Sequence, residues 1–118
     1  MIAKIHILVD IGYAFDYFSI LELKNKKGIL ADNVINLVKS DMVDQISEHV
    51  FNEIHNSVEY SNLLEANIQT FNAVDRAKTN NITAKEVDDC NMSRYHAKIA
   101  LLQAFTETDD NSLIEVKV

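Results

Sequence analysis

Apolar and polar positions alternate at the start of the chain. Ile5, Ile7 and Val9 fall on one side of an extended segment, and Lys4, His6 and Leu8 on the other. A short alternating run with this β-branched content predicts a strand over residues 3–9. From Asp10 the period changes. Ile11, Ala14, Phe15 and Phe18 recur at the spacing of a helix with one buried face. Asp10 is placed to cap that helix, because a carboxylate just before a helix accepts from its first unbonded N–H groups. Asn25-Lys26-Lys27-Gly28 closes it after about Lys24, with cations near the C-terminal end and glycine as the stop.

Between about Ala31 and Lys78 the pattern stays helical, with an ambiguous break near Ser40. Val34 and Val38 begin one stripe. Val43, Ile46, Val50, Ile54, Ser57, Ser61, Leu64, Ile68, Phe71 and Asp75 form a second. The spacing predicts either one very long helix or two helices broken around Asn56–Asn62. Thr79-Asn80-Asn81 is a turn. Thr83-Ala84-Lys85-Glu86 reads as a capping box, and the last helix runs from there to about Thr106. After a loop over Thr108–Ser112, Leu113 to Val118 alternate again and predict a second strand. Strands at opposite ends of the chain invite pairing with each other, and an isolated pair needs helices or a partner subunit to pack on. The expected fold is therefore mainly α: an antiparallel helical hairpin or bundle with a small two-stranded sheet from the N- and C-termini, forming one domain over 1–118 and a homodimer.

Composition narrows the function. The chain has 118 residues, 47% of them apolar, which suits one folded domain. Proline is absent and only two glycines occur, Gly12 and Gly28, which favours long helices. The net charge of −7 argues against sequence-independent nucleic-acid binding and against docking on anionic membranes. One cysteine, Cys90, allows no internal disulfide. The apolar run at the N-terminus is too short for a signal peptide or a membrane span, so a cytoplasmic protein is expected. No metal or cofactor is expected. His49 and His55 point different ways on a helix, and His49 with Glu53 makes only two ligands.

The unexpected positions are polar. On a wheel at about 100° per residue, the last helix gathers Val87, Cys90, Leu101, Leu102 and Phe105 into one arc. Asn91, Arg94 and Lys98 lie within it. In the first helix Glu22 sits in the centre of the apolar arc, and Asp75 continues the stripe of Ile68 and Phe71. Two acids and two bases thus aim inward, and buried charges are unfavourable unless paired. One reading is a closed network of salt bridges and hydrogen bonds among Glu22, Asp75, Asn91, Arg94 and Lys98. The other is a pocket in which Arg94 and Lys98 bind an anionic ligand, with Asn91 orienting it and Glu22 or Asp75 acting as acid or base.

These residues also carry a resemblance. Val9-Asp10-Ile11-Gly12, Asp16 and Ser19-Ile20-Leu21-Glu22-Leu23-Lys24 resemble the opening of domain-of-unknown-function family 6165, short bacterial and phage proteins. Asn67, Phe71 and Asp75 are similar to its middle segment, Asn91, Arg94 and Lys98 to its later one, and Ser112 to Lys117 to its end. Asp10 stands where that family usually has Ser, and Phe71 where it usually has Trp. The stretch between Lys26 and Glu65 also differs. The resemblance implies no activity. Two functions follow as expectations: a non-enzymatic phage-like or bacterial accessory protein that binds another protein as a helical dimer, or a small helical enzyme or sensor for an anionic metabolite.

Overall fold

The computed structural model describes residues 3–106. They form five helices: α1 (Ile11–Lys26), α2 (Asp32–Ile46), α3 (Glu48–His55), α4 (Val58–Ala77) and α5 (Ala84–Phe105). Every start but that of α2 has a side-chain cap. Asp10 caps α1, its carboxylate accepting from Tyr13 N–H at 2.8 Å. Ser57 caps α4 through Tyr60 N–H, and its hydroxyl also donates to Ile54 O, which binds the end of α3 to the start of α4. Half of the box at α5 forms as expected: Glu86 N–H donates to Thr83 Oγ1. The Glu86 carboxylate accepts from the Thr83 hydroxyl.

α1 ends in a left-handed turn. Gly28 has φ +74°, and the N–H groups of Gly28 and Ile29 return to the carbonyls of Asn25 and Lys24. This satisfies acceptors that the helix end would otherwise leave bare. The same device closes α4 at Asn80, with φ +58°.

Two expectations about the elements are corrected. First, no strand is present among the described residues, so the small two-stranded sheet of the expected fold is not seen. Residues 3–9 are irregular and pair with no ladder. An alternating run supplies a strand's side-chain pattern, but a ladder also needs a neighbour to take its hydrogen bonds. Residues 113–118, the expected partner, lie outside the described residues. Second, the stretch 32–77 is neither one helix nor two but three. α2 runs through Ser40 without a break and ends at Ser47, whose φ of +80° and ψ of 155° carry the chain directly into α3. The Ser47 hydroxyl then accepts from Val50 N–H. The break expected around Asn56–Asn62 falls at Asn56–Ser57, between α3 and α4.

α4 and α5 form an antiparallel hairpin. Arg76 meets Glu86 near the turn, and Thr70 Oγ1 donates to Cys90 O further along. α1 lies across this hairpin. The core collects Phe15 and Phe18 from α1, Phe51 and Ile54 from α3, Tyr60 and Leu63 from α4 and Leu101 from α5. Its rings meet at angles that aromatic pairs favour, Phe18 edge-on to Phe51 and Phe15 edge-on to Tyr60. α2 contributes only partly buried side chains to its edge: Ile35, Val38, Met42, Val43 and Ile46. Among the described residues no helix is long and apolar enough to cross a membrane.

Candidate functional site

Gly12 sets the geometry where α1 meets α5. A methyl group there would lie 3.0 Å from both Lys98 O and Leu102 Cβ, so only glycine lets the two helices approach this closely. One turn further along α1, that approach lets short side chains reach across. Asp16 takes Arg94 as a bidentate partner, Nε to Oδ1 at 3.1 Å and Nη2 to Oδ2 at 2.8 Å. Asn67 of α4 donates to Asp16 Oδ1 at 3.0 Å and to Ser19 Oγ at 2.6 Å. The Ser19 hydroxyl donates in turn to Asp16 O. Asp16, Ser19 and Asn67 are buried, whereas the Arg94 side chain is 34% exposed. Three helices are thus tied through one carboxylate, with the paired planar geometry that makes arginine–carboxylate contacts strong.

A second polar cluster sits beside the aromatic core. Glu22 Oε1 accepts from His55 Nε2 at 2.7 Å and also from the Tyr60 hydroxyl. His55 stacks on Phe51. Burial pushes the Glu22 carboxyl up, but the hydrogen bonds from His55 and Tyr60 outweigh it, and the net shift is downward. Burial, then the bond to Glu22, pushes the Tyr60 phenol far above the usual tyrosine range. α1, α3 and α4 meet at this point. Among the described residues every fully buried side-chain nitrogen and oxygen has a hydrogen-bond partner.

The five residues expected to form one set are placed separately. Arg94 belongs to the Asp16 cluster, Glu22 to the His55–Tyr60 cluster. Asp75 is exposed, with Lys78 at 3.7 Å. Asn91 is exposed on α5. Lys98 is half-buried, its ammonium 5.8 Å from the centre of the Tyr13 ring. The buried stripe of α4 explains Asp75. It runs through Tyr60, Leu63, Ala66, Asn67 and Ala73, about one residue round from the expected Leu64–Ile68–Phe71 stripe. Asp75 turns outward and Asn67 inward. Pattern reasoning also passed over Asp16, Ser19, His55 and Tyr60 as site residues. A signal for Asp16 was present: Gly12 and Ser19, small residues on its side of the wheel, mark where another helix comes close.

A third feature is apolar. Residues 5–9, α1 and α2 enclose an open groove of about 410 Å³, walled by Ile11, Ala14, Val38, Met42 and Ile46. Its lip is exposed: Ile5 is 84%, Ile7 67% and Leu8 95% accessible, and Tyr13 and Tyr17 of α1 stand beside them. His6 Nε2 holds the segment to α2 by donating to Asp41 Oδ1 at 3.0 Å. Among the described residues no group of three or more His, Cys, Asp or Glu side chains is arranged to hold a metal ion. In comparisons with known proteins, no family model, curated protein or solved structure matches the chain.

Proposed function

We propose that this is a non-enzymatic accessory protein, phage-like or bacterial in kind, that acts in the cytoplasm through protein–protein contact as a helical dimer. One contrast carries the reading. The inward polar groups of α1, α4 and α5 are engaged with one another, while the apolar lip along residues 5–9 and α1 faces solvent. A catalytic or sensing site needs polar groups held ready for a ligand. Here Arg94 is already occupied by Asp16. Asp16, Ser19, Asn67 and Arg94, four of the positions that carry the resemblance to family 6165, meet in this cluster.

Two measurements test the proposal. Light scattering on the eluted protein at micromolar concentration is expected to give twice the mass of the chain. The melting temperature is expected to stay flat across a panel of phosphates and carboxylates. A rise with one anion in the wild type that is absent in Arg94→Ala would favour an anion-binding enzyme or sensor instead.

A further inference from the structure

Residues 4–10 carry their own complement. In antiparallel pairing of two copies about Ile7, Ile5 of each lies opposite Val9 of the other, and Lys4 opposite Asp10. All apolar members of that set share one face, and a cation meets a carboxylate at both ends. The arrangement is two-fold, as a dimer of identical chains requires. The backbone is available for it: residues 3–9 make no backbone hydrogen bond to other described residues. An exposed segment with unpaired backbone N–H and C=O groups is a template for strand addition.

The area is of the right order. Ile5, Ile7, Val9, Tyr13 and Tyr17 together expose on the order of 600 Å², most of the roughly 800 Å² that one partner gives to an interface of standard size. Tyrosine is enriched in such interfaces because its ring buries area while its hydroxyl stays hydrated. The groove walled by α1 and α2 lies next to the exposed Ile5 and Ile7 side chains, so one surface offers both knob and hole.

We infer that the lip formed by residues 4–10, with Tyr13 and Tyr17, is the surface through which a second copy of the chain docks by antiparallel pairing about Ile7. The inference rests on the dimeric reading above and names its surface. Cross-linking and mutation test it together. In a Cys90→Ser background, Ile7→Cys is expected to oxidise rapidly to a disulfide-linked dimer. Pairing about that residue brings its two Cα atoms to about 4.5–5.5 Å, within disulfide reach. Ile5→Asp is expected to raise the dimer dissociation constant at least tenfold without lowering the helical signal, because Ile5 lies on the paired face and is 84% exposed in the single chain. A wild-type dimer that ignores Ile5→Asp or leaves Ile7→Cys unlinked overturns this surface and leaves the dimer reading intact. A wild-type monomer overturns both. If that monomer dimerises once Ile114 and Val116 are changed to Asp, the chain's own tail is the occupant; if it does not, the surface is left to a different protein.

Discussion

The two sides of α1 are held in different ways. Toward α4 and α5 it presents Gly12, Asp16 and Ser19, and contact is close and directional. Toward α2 it meets the edges of apolar side chains and makes one hydrogen bond at the helix end, Asn25 Nδ2 to Asp32 Oδ1 at 2.7 Å, and no residue of α2 is buried. The first side combines a packed core with hydrogen bonds that tolerate little displacement. The second excludes some water but specifies little. Stability is therefore concentrated in the α1–α3–α4–α5 unit, and α2 with residues 3–9 belongs to the part that opens first.

The sharpest way to break the comparison is to truncate an apolar side chain on each side. Phe15→Ala, in the core, is expected to cost about 3–5 kcal/mol. Val38→Ala, on the half-buried side of α2, is expected to cost about 1 kcal/mol or less. Urea denaturation of the two variants measures the difference, and comparable losses would show that α2 is as integral as the core. Asp16→Ala comes next. It strands Arg94 and Asn67, and about 2–3 kcal/mol should be lost, below the range for a fully buried pair because Arg94 reaches solvent. Gly12→Ala is expected to cost about 1–3 kcal/mol, since the new methyl meets the backbone of Lys98.

The Glu22 cluster sharpens the picture through pH. The Glu22 carboxyl lies lower in the folded chain than in the unfolded one. Its contribution is therefore complete above about pH 4.3 and is lost as pH falls through the folded value. The Tyr60 phenol lies higher in the folded chain, so its contribution is complete below about pH 10 and is lost as pH rises beyond that. Stability should fall at both ends of the scale, and Tyr60→Phe should flatten the alkaline limb while costing about 1 kcal/mol at neutral pH. An alkaline limb unchanged in that variant would assign it to other groups. The smallest effect is a gain. Ser47 holds a backbone conformation nearly confined to glycine, and Ser47→Gly should stabilise by about 0.5–1 kcal/mol in thermal unfolding after the weaker cap is deducted.

The helices were legible because their signals are local. Asp10, Ser57 and Thr83 act on groups within four residues, and so does Gly28 from the other end. What the sequence hid was anything that depends on a helix's rotation. Shifting the buried stripe of α4 by one residue exchanged Asp75 for Asn67, although both positions fit a helical period. Arg94 was legible as an inward cation, but its partner was not: Asp16 sits at the margin of the α1 arc, while Glu22 sits at its centre and satisfies His55 and Tyr60. The strand at 3–9 was misread for a related reason, since alternation describes a segment and not its neighbours. Ser47 escaped notice because serine seldom adopts a positive φ.

The pairing of Arg94 with Asp16 has a consequence for how α5 seats itself. Slipped along its axis by one turn, about 5.4 Å, α5 would bring Lys98 or Cys90 opposite Asp16. A Lys98 decoy would have the right sign of charge, and a test of charge alone would accept it. An ammonium is a single point donor, however, and cannot give one carboxylate the two parallel N–H bonds of a guanidinium. The native seating is thus distinguished from its nearest counterfeit by the shape of the donor. Arg94→Lys is the substitution that would make the two seatings look alike to Asp16.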